Sequence, residues 1–314
     1  MLNEKAGNMK KLIAAILLTV SFTSARAQVY AVTSPNGNLT LTVTTGADIK
    51  YTVTHGATVL ITPSPIALTI NGGIILGANP VVINTETSSV NGTITHLYGK
   101  NKILDEVYNE HRINFEGNYS LILRAYNEGV AYRFVTTHTG EIIVDSETAN
   151  FNLAGAPGVF FPEADASLQS WERAYYRYNS INLIAVNRFA VTPTMFSYVD
   201  DGLRVVIAES DLFDYPGMYV QRTTQGMKGK WAAYPKTVSE PENIYAYHRV
   251  LTREDYIAKT QGTREFPWRV IIVSSDDKDL LTNQLIYKLA KPSVVADESF
   301  IVPGKSVWEW WHDA

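Results

Sequence analysis

Leu39-Thr40-Leu41-Thr42-Val43-Thr44 carries an apolar side chain at every second position. Successive side chains of a strand point to opposite faces, so this stretch predicts a strand with one buried and one wet face. The theme extends in both directions. From Gln28 to about Val273, short runs rich in Val, Ile, Thr and Tyr alternate with Gly, Asn, Asp or Pro turns. Such runs occupy residues 51–55, 66–70, 119–126, 131–136, 204–209 and 269–273. Between runs stand Pro35-Asn36-Gly37, Asn71-Gly72-Gly73, Asn127-Glu128-Gly129 and Asp200-Asp201-Gly202, whose Asn and Gly residues accept the positive φ of tight hairpins. The expected fold is mainly β, with antiparallel sheets packed face to face. About 245 residues of this pattern exceed an immunoglobulin-sized sandwich, so a large sandwich is predicted. No fixed-period repeat is present, which argues against a propeller.

Beyond Val273 the pattern changes. Leu280, Leu281, Leu285, Ile286 and Leu289 have the spacing of an amphipathic helix over 279–289, and Ser274-Ser275-Asp276-Asp277 offers N-cap chemistry. Lys291-Pro292 breaks it, and Val302-Pro303-Gly304-Lys305 leads into Ser306-Val307-Trp308-Glu309-Trp310-Trp311-His312-Asp313-Ala314. Three tryptophans in four residues predict a strand of a second domain.

At the other end, Lys10-Lys11, an apolar run over 12–22 and Ala25-Arg26-Ala27 have the plan of a secretory signal peptide cleaved after Ala27. The run is about half the roughly 20 residues that span a bilayer, so no membrane anchor is expected. A periplasmic or secreted protein follows. Cysteine is absent from the 314 residues, which excludes disulfides, thiol nucleophiles and cysteine-held zinc. A hydrophobic content of 46% and a charged content of 18% describe a globular chain, and a net charge of -4 argues against nucleic acid as a partner.

The sequence contains no G-x-S-x-G elbow, phosphate loop, H-E-x-x-H pair or EF-hand loop. His55, His96, His111, His138, His248 and His312 follow no metal-ligand spacing. Two stretches combine acids with aromatics, the mixture that binds sugar rings. One runs over 160–178. As a strand, 171–178 would place Glu172, Ala174, Tyr176 and Tyr178 on one face and Trp171, Arg173, Tyr175 and Arg177 on the other. Glu172 then serves either as a ligand for a hard cation such as calcium or as an edge charge that discourages aggregation. The other is Trp308-Glu309-Trp310-Trp311. Glu209-Ser210-Asp211-Leu212-Phe213-Asp214-Tyr215-Pro216-Gly217-Met218-Tyr219 reads as a structural turn between strands, with a ligand role as its alternative.

These segments together resemble the N-terminal part of glycoside hydrolase family 97, exported α-glucosidases and α-galactosidases. Ser34-Pro35-Asn36-Gly37 is similar to the opening turn of that domain, Tyr108-Asn109-Glu110 to its Y-N-E motif, and residues 129–134 to its G-x-A-[FY]-R strand. Residues 209–219 resemble its E-x-D-L-x-D-Y-P-G-M-Y run, and Pro303-Gly304-Lys305 with Trp308-Glu309-Trp310-Trp311 looks like the entry to its barrel.

The resemblance implies a galactose-mutarotase-like β-super-sandwich, a (β/α)8 catalytic barrel and a small C-terminal β domain. The chain then divides into a signal peptide over 1–27, the super-sandwich over 28–288, a linker over 289–303 and the start of the barrel over 304–314. Glu172 becomes a calcium ligand of the substrate site, although Trp171-Glu172-Arg173-Ala174-Tyr175 departs from the Tyr-Glu and looser spacer of the family. Trp311 becomes a substrate contact, since barrel strands meet substrate at their C-terminal ends. The catalytic carboxyl pair, about 5–5.5 Å apart for retention or 6.5–9.5 Å for inversion, belongs to the barrel. The expected activity is removal of terminal α-linked glucose or galactose from an oligosaccharide, with a calcium-dependent inverting α-glucosidase favoured through Glu172. A free-standing carbohydrate-binding or mutarotase-like sandwich is the alternative.

Overall fold

The computed structural model describes residues 27–97, 99–168, 171–198, 202–241, 248–302 and 304–307. Residues 1–26 of the expected signal peptide, and residues 308–314 of the expected barrel strand with Trp311, lie outside the described residues.

Strand Leu39–Thr44 has the predicted alternation: Leu39, Leu41 and Val43 are buried, and the three threonines between and after them are half-buried. Burying each of these aliphatic side chains is worth about 1.5–3 kcal/mol. The strand pairs antiparallel with Val29–Thr33 and Ile49–His55, within a continuous sheet of eighteen strands. The result is a β-super-sandwich, built around the long strand Gly129–Phe151. Successive parts of that strand pair with different neighbours. Gly129–Tyr132 meets Trp268–Ser274, its middle meets Ala258–Glu265, residues 144–149 meet Thr58–Ile70, and its end meets Met227–Lys230. One strand thereby ties together segments that are far apart in sequence. Leu41, Tyr51, Leu121, Phe134, Phe161 and Ile207 belong to one buried cluster.

A smaller cluster on the reverse of the sheet joins Tyr126, Trp268, Val270 and Ile272 to Leu285 and Leu289. The single helix expected over 279–289 is two short ones, Asp277–Thr282 and Leu285–Leu289. Asn283 causes the break: its backbone is extended, and its side chain accepts the Leu285 N–H, giving the chain a local alternative to the helical ladder. The expected cap is present, with Asp276 accepting the Lys278 N–H at 2.9 Å. Among the described residues no helix is long and apolar enough to cross a membrane.

Candidate functional site

The acidic run over 209–219 is a structural connection, and two of its acids, Glu209 and Asp211, are partners of buried arginines. Glu209, at the end of strand Leu203–Ser210, accepts from Arg269 Nη1 at 2.8 Å and from the Met218 N–H at 2.7 Å. Arg269 donates its Nε and Nη2 to the two oxygens of Glu147, at 2.7 and 2.6 Å. The three side chains are 1%, 6% and 4% exposed for Arg269, Glu209 and Glu147. Tyr215 donates its hydroxyl to Glu147 at 2.8 Å, and the Arg269 guanidinium lies 5.1 Å from the Trp231 ring centre. Two carboxylates therefore share one buried cation. Burial pushes the Glu209 carboxyl up to about 7, because the opposing pull of Arg269 is divided with Glu147.

A second buried pair fixes the loop beside it. Arg133 Nη2 donates to Asp211 at 2.7 Å, and Asp211 also accepts the Lys291 N–H. Arg264 holds the Phe213 and Asp214 carbonyls from outside, while Ser210 donates its hydroxyl to the Ile286 carbonyl. Asp211 and Asp214 take positive φ, 64° and 47°, which an aspartate tolerates better than most side chains.

This fixed loop seats Trp171. The indole stacks on Tyr219 with ring centres 4.4 Å apart and planes 26° apart, and Phe189 meets Tyr219 edge-on. At Gly217 an added Cβ would lie 2.6 Å from the indole, so only glycine leaves room for it. Trp171 lines an open apolar groove of about 770 Å³ with Phe160, Tyr175, Leu212 and Ile286.

The strand expected over 171–178 is confined to Tyr176–Tyr178. Its partner strand Gly158–Phe161 offers pairing only for these residues and then enters Pro162, which has no N–H to continue the ladder. The face alternation expected for 171–175 therefore does not apply, and Trp171 is placed by stacking. Glu172 follows it on an irregular, exposed segment. Among the described residues its carboxylate has no hydrogen bond or ion pair, while its neighbours are committed. Arg173 binds Asp165, which hydrogen bonds from Ser167 also hold below the usual aspartate range, and Arg188 grips Glu163.

An exposed carboxylate without a competing partner suits one position around a hard cation. No three His, Asp or Glu side chains among the described residues converge to hold one, so Glu172 fits as a single contributor. The arginines that organise the site were not legible as such. The available signal was Arg269 and Arg133, each set in a run of otherwise apolar strand residues, where a cation is retained only with a buried partner.

The family model for the glycosyl-hydrolase 97 N-terminal domain matches residues 32–292. The chain belongs to glycoside hydrolase family 97. Among curated relatives, a retaining α-galactosidase of Bacteroides thetaiotaomicron is 33% identical over 97% of this chain and 48% of its own length. A probable retaining α-galactosidase of Streptomyces bingchenggensis is 28% identical over 93% of this chain and 41% of its own. The chain thus spans about half the length of the curated relatives it matches. A solved family 97 enzyme from Pseudoalteromonas sp., in complex with acarbose, superposes with a TM-score of 0.73 at 19% identity, covering 88% of this chain and 40% of that one. A β-arabinopyranosidase structure superposes at 0.64 with 18% identity, over 78% and 40%. At these identities the structural matches show a shared fold.

Proposed function

We propose that the chain is the N-terminal super-sandwich of an exported α-glycosidase that removes terminal α-linked galactose or glucose from oligosaccharides. In this reading it braces a (β/α)8 barrel of its own chain, which carries the catalytic carboxyl pair, and lends Glu172 to a calcium-containing substrate site. The observation that carries it is the uncommitted Glu172 carboxylate beside Trp171, whose position is fixed by Gly217, Tyr219 and the buried ion pairs beneath them. The two curated relatives compared above are named a retaining and a probable retaining α-galactosidase, which favours galactose and retention over the inverting α-glucosidase expected from Glu172 alone.

Within this chain the chemistry is placement. The Trp171 stack limits where the next residue can go, so Glu172 is presented without spending side-chain freedom on its own hydrogen bonds. Calcium, when bound, supplies positive charge that orients an oxygen of the substrate or of a catalytic group. Phe160, Tyr175 and Leu212, in the apolar groove next to Trp171, offer the face against which the barrel packs.

Calcium titration of the full-length protein against its Glu172→Ala variant tests the assignment. Loss of a charged ligand is expected to weaken calcium by at least about tenfold, with a parallel loss of α-galactoside hydrolysis. Unchanged affinity removes Glu172 from the site. Saccharide binding with no hydrolysis of any α-galactoside or α-glucoside would instead favour the binding-module alternative.

A further inference from the structure

Strand Val29–Thr33 begins two residues after Ala27, the last residue of the expected signal peptide. Cleavage there makes Gln28 the first residue of the mature chain. The neighbouring strand already holds its main chain. The Thr45 N–H donates to the Gln28 carbonyl at 2.9 Å, and the Gln28 N–H donates to Thr45 Oγ1 at 3.3 Å. Thr45 is 4% exposed, whereas Gln28 lies open to solvent.

The Gln28 side chain makes a contact that bears on its chemistry: the Tyr30 hydroxyl donates to Gln28 Oε1 at 2.7 Å. Residues two apart on a strand share a face, which brings the two side chains together. The Tyr30 ring is itself held in place. It packs against the large buried cluster and meets His111 edge-on, with ring centres 5.8 Å apart. Burial raises its hydroxyl above the ordinary tyrosine value, so it remains a donor around neutral pH.

An N-terminal glutamine carries a nucleophile and an electrophile that close a five-membered ring. The pKa of a free α-amine is about 7.7–8.0, so a substantial fraction is neutral near that pH and able to attack. The step balances within the residue. The α-nitrogen bonds to Cδ, the Cδ–Nε2 bond breaks, and Nε2 leaves as ammonia with the proton that the amine gives up. Negative charge develops on Oε1 as the bond forms, and a hydroxyl donor on that oxygen stabilises it. The lactam keeps one N–H for Thr45 Oγ1 and removes the positive charge of the terminus, so the edge of the sheet loses no hydrogen bond. We propose that Gln28 of the exported chain closes to pyroglutamate, with the Tyr30 hydroxyl on the carbonyl that is attacked. This rests on export with cleavage after Ala27 and is independent of the role given to Glu172.

The test is mass spectrometry of the N-terminal peptide of the full-length protein, produced with its own leader in an exporting bacterial host that lacks a glutaminyl cyclase. Conversion is followed after purification at about pH 8, where the amine is largely neutral. The expected peptide begins at residue 28, becomes lighter than its sequence by one ammonia, and is then blocked to stepwise N-terminal sequencing. Gln28→Asn, which cannot close the same ring, should begin at the same position, keep its full mass and stay open to sequencing. Tyr30→Phe keeps the ring packing, and its conversion should be slower by about two- to tenfold, the worth of one hydrogen bond. The parent unfolded in guanidinium chloride should slow likewise, since unfolding parts the hydroxyl from the amide. A peptide that begins at Gln28 and keeps its full mass overturns the cyclisation while leaving export standing. One that begins elsewhere overturns both. Equal rates in the parent, in Tyr30→Phe and in denaturant overturn the part given to Tyr30.

Discussion

Replacing Arg269 by methionine isolates what the buried ion triad contributes. The substitution keeps much of the side-chain volume but leaves Glu147 and Glu209 inside the protein without their shared cation. Breaking a buried pair by removing one partner costs about 3–5 kcal/mol, against a total stability of about 5–15 kcal/mol for a domain. The variant is therefore expected to fold at neutral pH with a urea midpoint lowered by about 1–2 M. The loss has a defined pH dependence. Burial already raises the Glu209 carboxyl to about 7, and without Arg269 nothing opposes that rise, so between about pH 8 and pH 5 the native variant binds protons that the unfolded state does not. Destabilisation is then largest at pH 8 and shrinks on acidification. Urea unfolding followed by near-ultraviolet circular dichroism at pH 8, 6.5 and 5 measures this. A companion variant, Glu147→Gln with Glu209→Gln and Arg269→Met, removes all three charges and is expected to recover more than half of the loss. A loss below about 1 kcal/mol at pH 8, or one that grows on acidification, would refute the reasoning.

Glu209→Gln tests the pH behaviour of the intact triad. Because burial raises the folded Glu209 carboxyl to about 7, its stabilising contribution is complete below the unfolded value and is lost as pH rises through the folded one. The stability of the parent minus that of Glu209→Gln should thus fall between pH 5 and 8, and a flat difference contradicts the burial effect. Gly217→Ala should displace Trp171 from Tyr219 and forfeit a contact worth about 0.5–1.5 kcal/mol, seen as a red-shifted tryptophan emission. In a Trp171→Ala background the same change should cost little. Gly129→Ala places a Cβ 2.6 Å from the Ile271 carbonyl and 2.7 Å from Leu285, and is expected to cost about 1–3 kcal/mol by overpacking. A melting temperature equal to the parent's would show that strand and helix can separate there.

The alternation in 39–44 and the turn chemistry around it made the β fold legible, because side-chain period is a local property of the backbone. The order of family motifs was also legible, and it included the Glu209–Tyr219 connection. The helix over 279–289 was only partly so: leucine spacing marks the buried face, whereas Asn283 decides by a side-chain hydrogen bond that the helix restarts. The mixture of acid and aromatics marks Trp171-Glu172 in the sequence, but period alone carries no information about Pro162, which follows the neighbouring strand Gly158–Phe161 and ends the pairing.

By itself, then, the sequence determined a mainly β chain of family 97 type and singled out Glu172. Tertiary structure decided how the surrounding charges are used. Glu147, Glu209 and Arg269 lie on separate stretches of chain, and only when the long central strand and its neighbours are paired do they share one buried site. The same pairing commits Asp211 and Glu209 to arginines, while among the described residues Glu172 has no partner. Local periodicity encodes which face of an element is buried. Which carboxylate stays available is a long-range electrostatic outcome, set by what the fold brings within hydrogen-bond reach.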